Sequence, residues 1–419
     1  MKRVIKHWMT LPATGPLLGL LDQAIASGGN FLLGILLAAQ LGLKAFGQYS
    51  VWWLGVLFAL GLHQALITQP MMSLHASKKK LSYLYRVSAM QGIVMAGFIA
   101  VAIALAFFTQ KVELPLVVLL CAAFLQQDFL RKLCFVRKDF RRALLIDVVL
   151  YSALLGGLLS YQWLLGPLTL TVSMVIIVGA YLFSIAVYLL PFRDKVRIPT
   201  AADLFITVKE HYQFSSWLLG AAVLQWFSGN FFLVAGAGVL GTQAVGALRM
   251  AQNVVGLCHV LFLYMENSVP AEAARLYAQY GKKRLLRYLQ RVTLRVGLLV
   301  ATLLVGLYAL SPWLIQRVFG REYHEYQYLI GAYAFLYALV FLTYPMRFFL
   351  RTLQSTFPIF LAYTMSAGIS MLVAFPLVRS WGMSGVLAGL IGSQLITIAI
   401  YTLFLWSNQS RPSPFWKLR

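Results

Sequence analysis

Acidic residues are scarce in this chain: 12 Asp and Glu stand against 35 Lys and Arg, and charged residues of both signs make up only 11% of 419 positions. So little charge cannot cover a water-soluble protein of this length, and 60% of the residues are hydrophobic. Cysteine is nearly absent. Cys121, Cys134 and Cys258 lack metal-ligand or paired spacing, which excludes a disulfide framework and a metal site and leaves them as packing residues. The phosphate-cradling Gly-Lys-Ser/Thr loop is missing, so the chain carries no ATP-hydrolysing motif of its own. Neither a zinc-protease helix nor a nucleophile elbow is present, which argues against an enzyme, and no cofactor is expected. Long loops are missing on one side of the pattern, the longest running over about 317–325. That leaves no room for a catalytic domain there.

What is present is a succession of apolar runs, each about 20 residues and long enough to cross a bilayer as a helix. They predict an all-α polytopic membrane protein with about twelve transmembrane helices, at 17–43, 50–72, 86–108, 114–130, 143–163, 168–191, 213–239, 244–268, 292–316, 326–346, 354–377 and 383–406. The start, Met1-Lys2-Arg3 and an apolar run, looks like a cleavable signal, but Asp22 interrupts it early and it is read as the first span. A net charge of +23 invites a nucleic-acid reading, which its distribution contradicts. In the twelve-span arrangement 29 of the 35 Lys and Arg fall on one side, loop after alternate loop. The positive-inside rule then puts both termini in the cytoplasm, with the basic loops against anionic membrane lipids and no nucleic acid as partner.

A pattern repeats after about 200 residues. Asn30-Phe31, Leu41-Gly42, Ala45, Gly47, Pro70, Lys79-Lys80-Leu81 and Tyr83-Leu84-x-Arg86-Val87 recur as Asn230-Phe231, Leu240-Gly241, Ala244, Gly246, Pro270, Lys283-Arg284-Leu285 and Tyr288-Leu289-x-Arg291-Val292. Six spans precede the second copy, so both copies enter the membrane with the same orientation, and two six-helix lobes related as parallel repeats are expected. The lobes are assigned to 1–191 and 213–419, with a cytoplasmic linker over 192–212 whose stretch 201–212 suits an interfacial helix.

The segment from Leu21 to Leu32, with Leu41-Gly42 through Phe46-Gly47, resembles the opening of Wzx-type O-antigen and exopolysaccharide flippases of the multidrug/oligosaccharidyl-lipid/polysaccharide (MOP) exporter superfamily. The family's Leu-Gly-x-x-x-[Tyr/Phe]-Gly turn is complete in the first copy, whereas the second, Leu240-Gly241 to Val245-Gly246, has Val in the aromatic place. The resemblance implies flipping of a polyprenyl-pyrophosphate-linked oligosaccharide across the bacterial inner membrane by alternating access. Glycosyltransferases and a polysaccharide polymerase would be its partners. The major facilitator loop motif is absent after the second span, where Met71 to Lys80 stands instead.

Such a carrier needs polar residues inside its spans, where a lone charge costs roughly 2.5–3.5 kcal/mol on insertion scales. Asp22, Ala26, Gly29 and Asn30 share one helical stripe, with Gln23 beside it. It reads either as a cavity wall or as close helix packing. Arg249, Gln252 and Asn253 stand at i, i+3 and i+4, with His259 deeper. A guanidinium suits a pyrophosphate, though a snorkelling arginine is the plainer reading. Gln225 and Trp226 are candidates for sugar hydroxyls, and Asp22 and His63 for coupling to an ion gradient. Asp128 with Arg131 and Lys132 reads as a salt-bridged helix end. Two rival functions remain: a multidrug or small-cation exporter of the same superfamily, which would want deep acids, and a non-transporting scaffold of a polysaccharide assembly.

Overall fold

The computed structural model describes residues 15–78, 81–109, 112–189 and 199–409. The basic pair Lys79-Lys80 of the first repeat and linker residues 192–198 lie outside them. Among the described residues there are helices and no strands. Among the described residues, nine helical segments are long and apolar enough to cross a membrane. Three of them are each divided by a glycine with non-helical backbone, Gly42, Gly281 or Gly382, which resolves the nine into twelve spans. In order these are 15–41, 43–78, 81–108, 113–136, 140–164, 170–189, 201–240, 242–280, 282–319, 328–352, 357–381 and 383–409, numbered 1 to 12 below. Large side chains left bare, such as Phe107, Phe108 and Trp163 at more than four-fifths exposure, fit a surface bathed in hydrocarbon.

The described helices fall into two compact units. One combines the described part of Met1–Leu41 with Trp52–Val223, and the other combines Gly42–Val51 with Leu224–Arg419. In the first unit, Met71, Tyr83, Val87, Phe129, Leu133 and Ile146 pack at one end. In the second, Gly236 and Gly389 let spans 7 and 12 close up, since a β-carbon would meet Val386 or the Phe232 ring.

The duplicated motif explains why Gly42–Val51 belongs to the second unit. Gly42 and Gly241 share one unusual conformation, φ/ψ of 72/173° and 83/178°, which glycine alone tolerates and which turns the chain between adjoining helices. Five residues later, Gly47 and Gly246 touch through their backbones. A β-carbon on Gly47 would strike the carbonyl of Thr242, and one on Gly246 would strike that of Leu43. Leu43 and Thr242 occupy equivalent places in the repeat, so the contact is reciprocal. The Glu322 carboxylate accepts a hydrogen bond from the Leu43 N–H at 2.9 Å, satisfying an amide at the start of span 2. Gly246→Ala is expected to lower the melting temperature of the purified protein, by overpacking worth about 1–3 kcal/mol. Gly220→Ala, where a β-carbon meets nothing within 4 Å, is the control and should melt unchanged. Equal melting of the two variants would show that the glycine contact carries no weight.

The stretch 201–212 is helical, as the opening turns of span 7. Thr200 caps it: the Asp203 amide donates to Thr200 Oγ1 at 3.2 Å and Thr200 donates back to the Asp203 carboxylate, a reciprocal cap. Forty residues at 1.5 Å each make a helix of about 60 Å, twice the hydrocarbon core, so its first half extends past the bilayer. This extension docks on the first copy of the repeat. Arg86 donates to Thr207 and pairs with Asp203. His211 Nδ1 faces the Leu66 carbonyl at 3.0 Å, and its Nε2 is hydrogen-bonded with the Tyr83 hydroxyl at 2.8 Å. In the second copy the equivalent Arg291 is exposed.

Candidate functional site

Two polar centres lie inside the helix bundles, one in each unit. In the second unit, span 10 carries Tyr333, Tyr337 and Tyr344 on one stripe, at i, i+4 and i+11. With Gln252 and His259 of span 8, Ser228 of span 7 and Gln394 of span 12, they line a cavity of about 180 Å³. Span 8 tightens to a 3₁₀ turn at Gly256–Cys258, just before His259, an irregularity that often marks a working part of a helix. The rings form a continuous face: Tyr337 stacks on Phe262 at 27° with centroids 6.1 Å apart, and Phe262 meets Tyr344 at 5.0 Å.

Arg249 stands beside this cavity, one turn before Gln252. Its Nη1 donates to Gln252 Oε1 at 2.7 Å, and Gln252 is also hydrogen-bonded to Tyr337. The remaining guanidinium nitrogens, Nε and Nη2, are buried without a partner, as is the Tyr333 hydroxyl. The phenols of Tyr49, Tyr333 and Tyr337 are its electrostatic neighbours, and no carboxylate is among them. An arginine held in this way is a cation in want of an anion, since each buried donor left unmet costs about 1–3 kcal/mol. Its half-buried position among tyrosines distinguishes it from an arginine reaching out to an interface.

In the first unit Asp22 is fully buried, and Arg131 of span 4 grips it through Nη2 at 2.6 Å and Nε at 2.9 Å. The same guanidinium reaches Asp147 of span 5 at 3.1 Å. Gln127 donates to Asp147 and Ser184 donates to Gln127, extending the network to span 6. A second network surrounds the π-helical turn Gln64–Thr68 of span 2. His63 bonds Gln91 at 2.7 Å, Gln91 donates to Gln126, and Lys132 pairs with Asp128 at 3.1 Å while pointing at Thr68.

Of the residues picked from the sequence, Gln252 lines the cavity and Arg249 adjoins it, whereas Asn253 is half-buried and outside the lining. Gln225 is exposed. Trp226 is half-buried against Phe227, its carbonyl accepting from Asn230, and does not line the cavity. Asn30 is exposed at the edge of its stripe and hydrogen-bonds Tyr151, whose ring fills the place a β-carbon on Gly29 would take. Gln23 is half-buried next to Asp22. Arg131, read as the partner of Asp128, instead joins Asp22 and Asp147, while Lys132 keeps Asp128. Tyrosine is ordinary in membrane helices, so the 4- and 7-residue spacing of Tyr333, Tyr337 and Tyr344 is the one signal of this stripe in the sequence. Cys121, Cys134 and Cys258 are buried free thiols, and the described residues hold no His, Cys, Asp and Glu group that could bind a metal.

Twelve spans with a repeated glycine turn and a polar centre in each unit define a multi-pass membrane protein whose fold is similar to that of solved MOP superfamily structures. Solved structures of that fold superpose on nearly the whole chain. An inward-facing multidrug resistance MATE family transporter of the MOP superfamily is 13% identical, with a TM-score of 0.65 over 97% of this chain and 98% of that one. Lipid II flippase MurJ, in an inward closed conformation, is 12% identical, with a TM-score of 0.68 over 94% and 88%. No curated protein matches the sequence significantly. Residues 35–328 match the family described as polysaccharide biosynthesis protein, more than half of the chain, and the protein belongs to that family.

Proposed function

We propose that the protein carries a polyprenyl-pyrophosphate-linked oligosaccharide from the cytoplasmic to the outer leaflet of a bacterial inner membrane, for surface polysaccharide synthesis. The observation that carries this reading is Arg249: a cation inside a polysaccharide-family bundle, with two buried donors unmet beside a cavity of aromatic and amide groups. A pyrophosphate offers paired acceptors of the matching charge. In this reading Arg249 and Gln252 hold the phosphates, and Asn253, Asn30, Gln23, Gln225 and Trp226 offer contacts to sugar along the transport route. Asp22, held with Asp147 by Arg131, takes up and releases the proton that couples transport, and His63 with Gln91 assists the same unit. Glycosyltransferases supply the cargo and a polymerase consumes it.

The multidrug reading has less support. A cationic drug needs an unpaired acid in its cavity, yet the lining of the cavity in the second unit has no carboxylate and Arg131 occupies Asp22 and Asp147. The two readings separate on deletion. Loss of the protein is expected to strip surface polysaccharide while lipid-linked oligosaccharide accumulates on the cytoplasmic leaflet and dye susceptibility stays put. Retained polysaccharide with new sensitivity to cationic dyes would hand the case to the multidrug reading. The basic loops support an orientation with both termini in the cytoplasm, so reporters fused after Lys80 and Arg291 should read cytoplasmic and those at Lys111 and Arg321 external. Inversion of either pair would overturn the orientation.

A further inference from the structure

One element of the duplicated pattern is covered in the first copy and bare in the second. In the first, the opening turns of span 7 lay a narrow polar stripe, Asp203, Thr207 and His211 at i, i+4 and i+8, along the start of span 3. Arg86 Nη1 pairs with Asp203 at 3.6 Å, Arg86 Nε donates to Thr207 at 3.1 Å, and Tyr83, fully buried, is hydrogen-bonded with His211. In the second copy the start of span 9 offers Tyr288 and Arg291 in the same places, with Tyr288 half-buried and Arg291 exposed. The second copy is also more basic. Arg287 and Arg295 stand where the first copy has Ser82 and Met90, so Arg284, Arg287, Arg291 and Arg295 share one exposed stripe at i, i+3, i+7 and i+11. None of the four makes a hydrogen bond or ion pair with a described residue. Like charges at this spacing repel, and an anionic partner removes that cost.

Lipid headgroups cannot cover this stripe. Leu294 and Leu298, 74% and 69% exposed on its flank, mark where hydrocarbon begins, and the stretch from Arg295 to Phe319, about 36 Å of helix, is enough to cross it. From Arg295 the stripe runs about 16 Å further to Arg284, whereas the headgroup layer of one leaflet is roughly 5–7 Å thick. Headgroups therefore reach about one turn of it and leave the rest in water. Segments 1–14, 190–198 and 410–419 of this chain hold nine basic residues against one acid, so their charge unfits them as the cover. In a second copy of this chain the matching stripe is already docked on span 3. We propose that the arginine face of span 9 is a docking seat for an acidic helix of a partner protein, laid along it as residues 200–212 lie along span 3 and carrying carboxylates at i, i+4 and i+8. The seat takes no part of the cavity, so its failure leaves the cargo reading untouched.

The test measures binding of two fluorescent peptides to the purified full chain in a neutral detergent. Both copy residues 199–215, one with Thr207→Glu and His211→Glu, which puts three carboxylates on one stripe, the other with Asp203→Lys, Thr207→Lys and His211→Lys. The native protein is expected to bind the acidic peptide and not the basic one. Arg287→Glu with Arg291→Glu in the protein should weaken the acidic peptide about tenfold or more and admit the basic one. Lys209→Glu with Arg351→Glu makes the same charge change at two other exposed positions and should weaken it by less than about threefold. Should the double reversal not fold, Arg287→Gln with Arg291→Gln decides, losing the acidic peptide in the same way. Equal loss in the two double variants, or no binding of the acidic peptide by the native protein, overturns the seat. So does displacement of the acidic peptide in nanodiscs when phosphatidylglycerol replaces phosphatidylcholine, with bound phosphatidylglycerol lost from the Arg287 and Arg291 variant, a result that makes the stripe a lipid site.

Discussion

Arg131→Met is expected to abolish accumulation of folded protein. The guanidinium is the counter-charge of two carboxyl groups, Asp22 at 0% and Asp147 at 3% side-chain exposure. Removing one partner of a buried ion network leaves charge without compensation, at a cost of about 3–5 kcal/mol. That is a large share of the roughly 5–15 kcal/mol that keeps a typical domain folded. Because the loss is electrostatic, neutralising the acids should undo it. The triple variant Arg131→Met, Asp22→Asn, Asp147→Asn is expected to recover folded yield, since three uncharged side chains of similar volume need no counter-ion. It should nevertheless fail to couple export to a proton gradient. Size-exclusion profiles of the detergent-solubilised proteins decide the first point. A well-folded Arg131→Met, or a triple variant no better than the single one, would show that the network is not held by charge.

Arg249 is expected to act on function with little effect on folding, because no carboxylate is among its electrostatic neighbours: its Nη1 donates to Gln252 Oε1, and Nε and Nη2 have no partner to lose. Arg249→Ala is expected to insert and fold normally and to cut export by on the order of a hundredfold, the loss of charge-assisted hydrogen bonds worth about 1.5–3 kcal/mol. Lys keeps the charge and loses the paired geometry, so Arg249→Lys should fall between the two. Glu in its place should match or exceed Ala in damage. Normal export by Arg249→Ala would reassign the residue to packing among Tyr49, Tyr333 and Tyr337.

The parts of this protein that the sequence spells out are those written in local or repeated code. Twelve apolar runs announce twelve spans, although three pairs of them join as continuous helical segments bent at Gly42, Gly281 and Gly382. The motif glycines Gly42, Gly47, Gly241 and Gly246 were visible as a repeat, and the reason for them, a conformation and a reciprocal backbone contact, required coordinates. Arg249 with Gln252 could be read from helical spacing because both lie on one helix. What could not be read is whatever depends on distant pairing. Asp22 meets Arg131 across 109 positions and His211 meets Tyr83 across 128, and such partners leave no periodic trace in a single chain. For Arg131 the local rule pointed elsewhere, to Asp128 at i−3, and the buried carboxylates of two other spans outweighed it. The cavity was hidden for a similar reason, since its residues come from spans 7, 8, 10 and 12 and helical spacing relates only residues that share a span.

The central claim is that the chain moves a lipid-linked glycan across a bilayer and that Arg249 is where the charge of the cargo is met. The most direct measurement places purified protein in sealed vesicles containing a polyprenyl-pyrophosphate oligosaccharide with a labelled terminal sugar, and follows the label's exposure to an impermeant enzyme that removes it. The account predicts that exposure rises past the outer-leaflet fraction to near completion with the native protein, and stays at the protein-free level with Arg249→Ala. Equal exposure with native protein and with empty vesicles, across inward and outward proton gradients, would contradict it.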